Sequence, residues 1–311
     1  MATVAVIGAT GRQGLAQVKQ LLKLGYDVRA LSRSEKPQLG EYTNKVSSRY
    51  LDIEDESTID AAIKDANFVF YNQPLHLNGK REELVSYLGK ACKRQDIERL
   101  VWNTSSWIPE RPGDAYTYER NTHGINALWQ TGAPATVFGS VLFMDNLLTD
   151  WARPLLMDEK RYIYPHAPDL GANWICLDDV AKIMIASLHR PDMVGCWMNI
   201  GGPERLTGSE VAATLSEALG FELDYDPASP EEFAQLLLNA MGDAVAEENK
   251  KSFAAYISEF YHYNNTAPTK PFSVNTEYMM ERLPEIKLEP LLSWASRQDW
   301  SGSNKYRPSG G

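Results

Sequence analysis

A doubly wound α/β fold, a parallel sheet with helices on both faces followed by a smaller α+β lobe, is what this sequence predicts. Short apolar runs alternate with stretches of helical periodicity as far as Val141, the pattern of strand-helix-strand units that feed a parallel sheet. Between the first run and the first helix stands a glycine-rich turn, Gly8-Ala-Thr-Gly-Arg-Gln-Gly14. The chain has 311 residues, more than one core of roughly 150 residues takes up, so two lobes are expected.

Taken in order, Thr3 to Ile7 reads as the first strand, and Leu15, Val18, Leu21, Leu22 and Leu24 follow at helical spacing. Gly25 closes that helix as a C-terminal cap, and Tyr26 to Ser32 makes the second strand. Ser48 to Ile53 then reads as strand, Ser57 to Ala66 as helix, Asn67 to Asn72 as strand, Glu82 to Arg94 as helix and Arg99 to Thr104 as strand. A helix over Glu119 to Gln130 and a strand over Ala135 to Val141 complete the alternation. Beyond Asn146 the rhythm loosens. A strand at Asn173 to Cys176, a helix at Asp179 to His189, a strand at Cys196 to Ile200 and a helix at Gly208 to Leu219 precede one or two helices within Glu231 to Tyr263. We therefore expect a first domain over residues 1–150 and a substrate lobe over 151–300, with some of its strands interleaved into the first sheet. Residues 301–311 read as a polar tail with no apolar anchor.

Composition limits the partners. A net charge of -10 offers no basic face for a phosphate backbone, so nucleic acid is not expected. No apolar run reaches the ~18 residues of a membrane span, and Met1 leads into the first strand without the charged and apolar regions of a signal peptide. The expectation is a cytoplasmic monomer or homodimer with no membrane partner. Cys92, Cys176 and Cys196 are too scattered, and odd in number, for a disulfide framework or a zinc site, and no metal is expected.

The glycine turn carries the first chemistry. Gly8 permits the tight exit from the strand, Gly11 lets backbone approach a pyrophosphate, and Gly14 lets the helix pack closely on the sheet, while the helix N-terminal amides face the phosphates. Thr10, Arg12 and Gln13 belong to the same turn. Strand before and helix after make this a Rossmann-type dinucleotide site. A site for NAD would place Asp or Glu at the end of the second strand to accept from the ribose 2'-hydroxyl, but Ser32-Arg33-Ser34 stands there. Arg33 suits a 2'-phosphate, with Arg12 placed to help, so the expected cofactor is NADP(H). Asp52 and Ile53 sit where an Asp-apolar pair cradles adenine, a helix N-cap being the other reading of that segment. Asn72, Gln73 and Pro74 end the fourth strand and are expected on the nicotinamide side, because carboxyl ends of parallel strands point into the ligand crevice.

Gly8 to Gly14, Val28-Arg-Ala-Leu-Ser-Arg33, Ser105-Ser106, Gly132-Ala-Pro-Ala-Thr-Val137 running to Phe143-Met-Asp-Asn146, and Ile175-Cys-Leu-Asp-Asp-Val180 occur in an order and spacing that resemble the NmrA-like branch of the atypical short-chain dehydrogenase/reductases. The resemblance covers residues 1 to 220. It implies an NADP(H)-binding Rossmann domain, here residues 1–150, and a small C-terminal lobe that closes over the cofactor. The family holds reductases, NADP-sensing regulators and enzymes of specialised metabolism, so fold likeness does not choose among activities.

Reductases of the wider family use a serine, a tyrosine and a lysine. The resemblance implies Ser106 for the serine, with Ser105 and Thr104 as rivals, and Tyr118 for the tyrosine, with Tyr116 as its alternative. At the lysine position stands Asn121, with Arg120 beside it; asparagine can reach a ribose hydroxyl but brings no charge, and a phenol of ordinary pKa near 10 loses its electrostatic help. His123, in the same helix, and His76, after Pro74, are the other candidate acids. Trp107, on the loop after the serine pair, and Phe143 are expected to wall a pocket for an apolar or aromatic substrate, with Trp151, Trp174, Tyr162, Tyr164 and Tyr261 as further aromatics. The expected function is an NADP(H)-dependent oxidoreductase acting on a medium-sized, partly apolar organic substrate, a carbonyl, imine or conjugated alkene. Alternatives are an isomerase or cyclase of specialised metabolism that uses the same cofactor, and a non-catalytic NADP(H)-sensing regulator.

Overall fold

In the computed structural model, strands β1 (Thr3–Ile7), β2 (Asp27–Ser32), β3 (Ser47–Tyr50), β4 (Phe68–Asn72), β5 (Arg99–Asn103) and β6 (Ala135–Ser140) alternate with helices α1 (Arg12–Lys23), α2 (Glu56–Ile63), α3 (Arg81–Arg94) and α4 (Tyr116–Gln130). Then come β7 (Leu142–Phe143), α5 (Arg153–Met157), β8 (Arg161–Tyr164), β9 (Ala172–Ile175), α6 (Leu177–Ala186), β10 (Cys196–Ile200), β11 (Arg205–Leu206) and α7 (Gly208–Leu219). The chain continues through β12 (Asp224–Pro227), α8 (Pro230–Met241), α9 (Glu247–Thr266), α10 (Thr276–Arg282) and α11 (Leu291–Ser296). The structure describes residues 1–111, 116–241 and 245–301, without the side chains of Leu75, His76, Asn78, Tyr116 and Thr117. The alternatives placed on His76 and Tyr116, and the tail beyond Ser301, lie outside what is described.

Seven strands form one parallel sheet in the order β10-β6-β5-β4-β1-β2-β3. Every residue of β5 and β6 is buried, which is why these strands read as near-continuous apolar runs rather than as alternating ones. One face is covered by α2, α3 and α4 through Ile59, Ile63, Leu84, Leu88, Ile125 and Leu128. The other is covered by α1, α6 and α10 through Val18, Leu21, Val180, Ile183, Met184 and Met279. At the end of α1, Gly25 (φ +82°) donates its N–H to Leu22 O and Tyr26 donates to Leu21 O, both at 3.1 Å. This Schellman closure turns the chain straight into β2.

Residues from β8, β9, α7, α8, α9 and α11 enclose a second core dominated by rings, including Tyr162, Tyr164, Trp174, Phe233, Tyr261 and Trp294. Within it β8 pairs in parallel with β12, and β9 lies between β7 and β11. The expected third strand runs on to Ile53, but β3 stops at Tyr50 because the chain turns at Asp52, whose carbonyl accepts from Asp55 N at 3.1 Å. The segment Glu231 to Tyr263 divides into α8 and α9, while β7, β8, β11, β12, α5, α10 and α11 are not among the elements expected from the sequence.

Candidate active site

Strand order reverses around β1, whose neighbours are β2 and β4, and crevices outside the carboxyl ends of strands at such a switch point receive ligands. Here the crevice is an open cleft. Gly8, Thr10, Gly11, Gln13 and Gly14 line it together with Arg33, Asp52, Ile53, Asn72, Gln73 and Pro74, and Ile7, Leu31, Ser32, Leu51, Glu54 and Leu77 complete its walls. The structure thus brings together the residues expected at the cofactor, Arg12 excepted.

Each glycine of the turn has a local reason. Gly8 adopts φ +72° and donates its N–H to Leu31 O at 3.1 Å, which pins the turn to β2. A Cβ on Gly14 would lie 2.2 Å from Gly8 O, so only glycine lets α1 start this close beneath the turn. Gly11 caps α1 without a side-chain bond, and the first turn holds no acidic residue. The first amides of α1 therefore open on the cleft without a built-in anion, as a pyrophosphate requires. At the end of β2, Arg33 lines the cleft with Ser32, and the carboxylate of Glu54 opposite is paired with Lys80 at 2.7 Å. Asp52 accepts from Glu54 N at 3.1 Å, whereas the N-cap of α2 is Asp55, which accepts from Ser57 N at 3.0 Å. These residues fit a dinucleotide phosphorylated at the ribose.

Arg12 takes a different place from the one expected. Its Nη1 donates to Asp145 O at 2.6 Å and its Nη2 to Asn146 Oδ1 at 3.0 Å, tying the start of α1 to the loop after β7. The Asp145 carboxyl accepts from Leu177 N, the first residue of α6, at 2.9 Å. Burial pushes that carboxyl up from the ordinary range, while the Leu177 N–H and Arg12 hold it down. Arg12 thus stitches α1 to the loop and α6 and does not line the cleft beside Arg33, because the two sides of the turn face different neighbours.

Beneath the cleft the carboxyl ends of the strands are joined by amides. Gln13 donates to Ser105 Oγ at 2.9 Å and accepts from Asn103 Nδ2 at 2.7 Å, and Asn103 Oδ1 accepts from Ser140 Oγ at 2.7 Å. Asn72 and Gln17 exchange bonds of 3.0 and 2.8 Å. Gln73 is buried, accepts from Tyr71 Oη at 3.1 Å and holds Leu77 O at 3.3 Å. Asn103 and Gln17 were not anticipated from the sequence; a polar residue ending the apolar run Leu100-Val-Trp102 is the available signal for Asn103.

Of the predicted serine, tyrosine and asparagine, Ser106 and Asn121 are joined by a hydrogen bond, whereas the tyrosine hydroxyl is bonded elsewhere. Ser106 is half-buried three residues past β5, with Thr104 O as a distant acceptor at 3.5 Å. Of its rivals, Ser105 accepts from Gln13 at 2.9 Å in a left-handed conformation (φ +57°), and Thr104 Oγ1 donates to Ser106 O at 2.6 Å. Asn121 is fully buried, and both of its amide hydrogens are used, on Ser106 Oγ at 2.9 Å and Trp107 O at 2.6 Å. It therefore has no hydrogen to offer a ribose hydroxyl, the role expected for it. Tyr118 lies in the ring-lined core, donates to Asn264 Oδ1 at 2.8 Å and packs edge-on against Trp107 with centroids 5.3 Å apart. Burial pushes its phenol well above the ordinary value, against the pull of the Asn264 bond. His123 sits on the outer side of α4, 53% exposed and 3.7 Å from Glu82, facing solvent and not the cleft. Of the two expected pocket walls, Trp107 belongs to the ring-lined core and Phe143 packs on the sheet face with α1 and α6.

Among the described residues no group of three or more His, Cys, Asp or Glu is placed to hold a metal ion. No helix among them is long and apolar enough to cross a membrane.

With this geometry in view, the likenesses to known proteins fall into place. The NmrA-like family profile matches residues 1–296. An NAD(P)H azoreductase of Xenophilus azovorans is 24% identical over 253 residues, covering 81% of this chain and 86% of that protein. Among solved structures, a nucleoside-diphosphate-sugar epimerase from Staphylococcus aureus is similar with a TM-score of 0.76 at 24% identity, over 96% of this chain and 100% of that one. The triphenylmethane reductase of Citrobacter sp., solved in complex with NADP(H), is similar with a TM-score of 0.73 at 18% identity, over 94% and 99% of the two chains. At these identities the two structures speak for the fold alone. The profile spans all of the sheet and nearly all of the lobe, and the chain belongs to the NmrA-like family.

Proposed function

We propose that this protein is an NADP(H)-dependent reductase of the atypical short-chain dehydrogenase type, acting on a medium-sized, partly apolar organic substrate that carries a carbonyl, imine or conjugated alkene. The observation that carries the cofactor is Arg33 at the mouth of the cleft, at the end of β2, where a carboxylate for an unphosphorylated ribose is replaced by Ser32-Arg33-Ser34. The uncapped start of α1 holds the pyrophosphate, Asp52 and Ile53 flank the adenine, and Asn72, Gln73 and Pro74 face the nicotinamide. When bound, the reduced cofactor supplies a hydride. Ser106, three residues past β5 and held by Asn121, orients the substrate by a hydrogen bond. The lobe over residues 151–300 closes the substrate side. The likeness to an azoreductase over most of both chains supports an electron-poor, conjugated acceptor.

Titration with NADPH and NADH tests the cofactor. Arg33→Asp is expected to weaken NADPH roughly tenfold or more while sparing NADH, since a charge-assisted contact is worth about 1.5–3 kcal/mol. Equal loss for both nucleotides defeats the assignment. NADPH oxidation across quinones, azo dyes and conjugated ketones tests the activity.

A second reading has one observation in its favour: Tyr118, Asn121 and His123 are all directed elsewhere than the cleft, which suits a protein that binds NADP(H) without turnover. Tight NADPH binding with no oxidation by any member of that panel selects it.

A further inference from the structure

Arg81 opens α3 and is buried, at 5% exposure, beneath the loop that follows β5. Its Nη1 donates to Asn121 Oδ1. On the other side of the same amide, Asn121 Nδ2 donates to Ser106 Oγ at 2.9 Å and to Trp107 O at 2.6 Å. The orientation of the amide is fixed by its neighbours, because a guanidinium only donates and a backbone carbonyl only accepts. We propose that Arg81 and Asn121 are positioning residues that polarise the Ser106 hydroxyl toward a substrate atom gaining negative charge, Arg81 supplying from α3 the cationic charge that Asn121 lacks. The inference rests on the reductase reading given above and concerns how the substrate is held.

The physical chain has three links. A guanidinium on the amide oxygen makes the amide N–H a stronger donor, and that donor draws density from the serine oxygen, so the serine O–H becomes the better donor in turn. Low local dielectric strengthens each link. The charge is kept: burial pulls the Arg81 guanidinium down to about 10, so it stays protonated near neutrality, with Tyr71 and Tyr256 favouring the cation and Arg120 opposing it. The serine is also held still. Thr104 Oγ1 fixes Ser106 O at 2.6 Å, and two residues on, Asn199 of β10 exchanges bonds of 2.8 and 2.9 Å with Ile108. Among the described residues the acceptor of the Ser106 hydrogen is the Thr104 carbonyl, at a long 3.5 Å.

A tether with no electrostatic role would have the same geometry, so the test must read charge. The probe is 4-nitrophenol, whose phenolate band reports its ionisation, titrated onto the full chain with no nucleotide present. The expected result is a bound probe whose pKa falls about one unit below its free value in the wild type, on the scale of one charge-assisted contact. Asn121→Asp keeps the shape, places a carboxylate on Arg81 and removes the donor to Ser106, and should return the probe to its free value. Arg81→Lys should retain part of the shift and Arg81→Met none. Ser106→Ala removes one hydroxyl at a half-buried site and should abolish the shift, which keeps the test open even if Arg81→Met does not fold. Absence of a wild-type shift, or a shift that survives in both Asn121→Asp and Ser106→Ala, overturns the proposal. Because no nucleotide takes part, a failed shift leaves the NADPH-oxidation reading standing, and failure of that reading leaves the shift measurable.

Discussion

The two faces of the sheet and the interior of the lobe are held together by different chemistry. Around the sheet the buried side chains are chiefly Val, Ile, Leu and Ala, set between helices and a continuous backbone ladder. In the lobe Trp151, Tyr162, Tyr164, His166, Trp174, Phe233, Tyr261 and Phe272 form a mesh of rings with centroids 4.6 to 6.3 Å apart. The lobe's three sheet pairs are short, and Tyr162 Oη, His166 Nε2 and Trp174 Nε1 are buried there with no hydrogen-bond partner among the described residues. Close backbone approach fixes the first region and its junction with the second, at Gly202 against Trp174 O, and ring packing fixes the interior of the second. Buried polar atoms without partners are tolerated where rings supply large dispersion and area terms.

The largest test of this contrast lies where backbones touch. A Cβ on Gly202 would stand 1.6 Å from Trp174 O, and one on Gly14 2.2 Å from Gly8 O. Gly202→Ala and Gly14→Ala are each expected to lose about 3 kcal/mol or more in urea denaturation. Gly14→Ala should lose NADPH affinity as well. Unchanged midpoints in both would break the comparison.

The next effect belongs to the lobe. His166 is buried among Tyr164, Trp174, Tyr261 and Phe272, and burial pushes it down to about 3. The unfolded chain takes up a proton at this residue near its ordinary value of about 6.5, whereas the folded chain does not. Stability is therefore whole above that value and falls as the pH drops toward 3, by up to about 1.4 kcal/mol per pH unit, or about 2 kcal/mol by pH 5. Denaturation midpoints between neutrality and pH 5 measure it. His166→Phe should flatten this part of the profile, and an unchanged slope would place the acid sensitivity elsewhere.

Two hydroxyl deletions sharpen the comparison further. Tyr118→Phe strands the carbonyl of buried Asn264 and should cost about 1–3 kcal/mol. Tyr162→Phe removes a hydroxyl that has no partner among the described residues, so its expected change is within about 0.5 kcal/mol of zero or slightly stabilising. Equal losses for the pair would show that Tyr162 is satisfied after all.

What was legible in the sequence follows the same division. β1, β10 and α7 begin and end where periodicity and flanking residues put them, because a strand buried on both faces, an edge strand bounded by Gly195 and Gly201, and an amphipathic helix leave strong local patterns. β8 and β12 were not legible: Arg161–Tyr164 and Asp224–Pro227 pair with each other across more than 50 intervening residues, and neither is long enough to declare itself. At the site, the Gly8 to Gly14 turn and Arg33 could be read because backbone conformation and strand position dictate them. Arg12 takes another place because the sequence shows Phe143-Met-Asp-Asn146 as a motif but not that this loop folds back onto the start of α1. Arg81 carries no signal in the sequence, since it acts through a contact between two helices, α3 and α4, whose facing sides no local pattern specifies.

The position of β10 has a consequence for how the chain is made. β6 is flanked on one side by β5, but its other edge is completed only by Cys196–Ile200, with Thr136 Oγ1 donating to Met193 O at 2.6 Å just before that strand. During synthesis the first six strands emerge well before this closing strand, and in that interval β6 presents an open row of backbone donors and acceptors beside an apolar surface. Nascent chains halted before Cys196 would thus be the ones most in need of a chaperone, and the ones most prone to pair with each other along that edge.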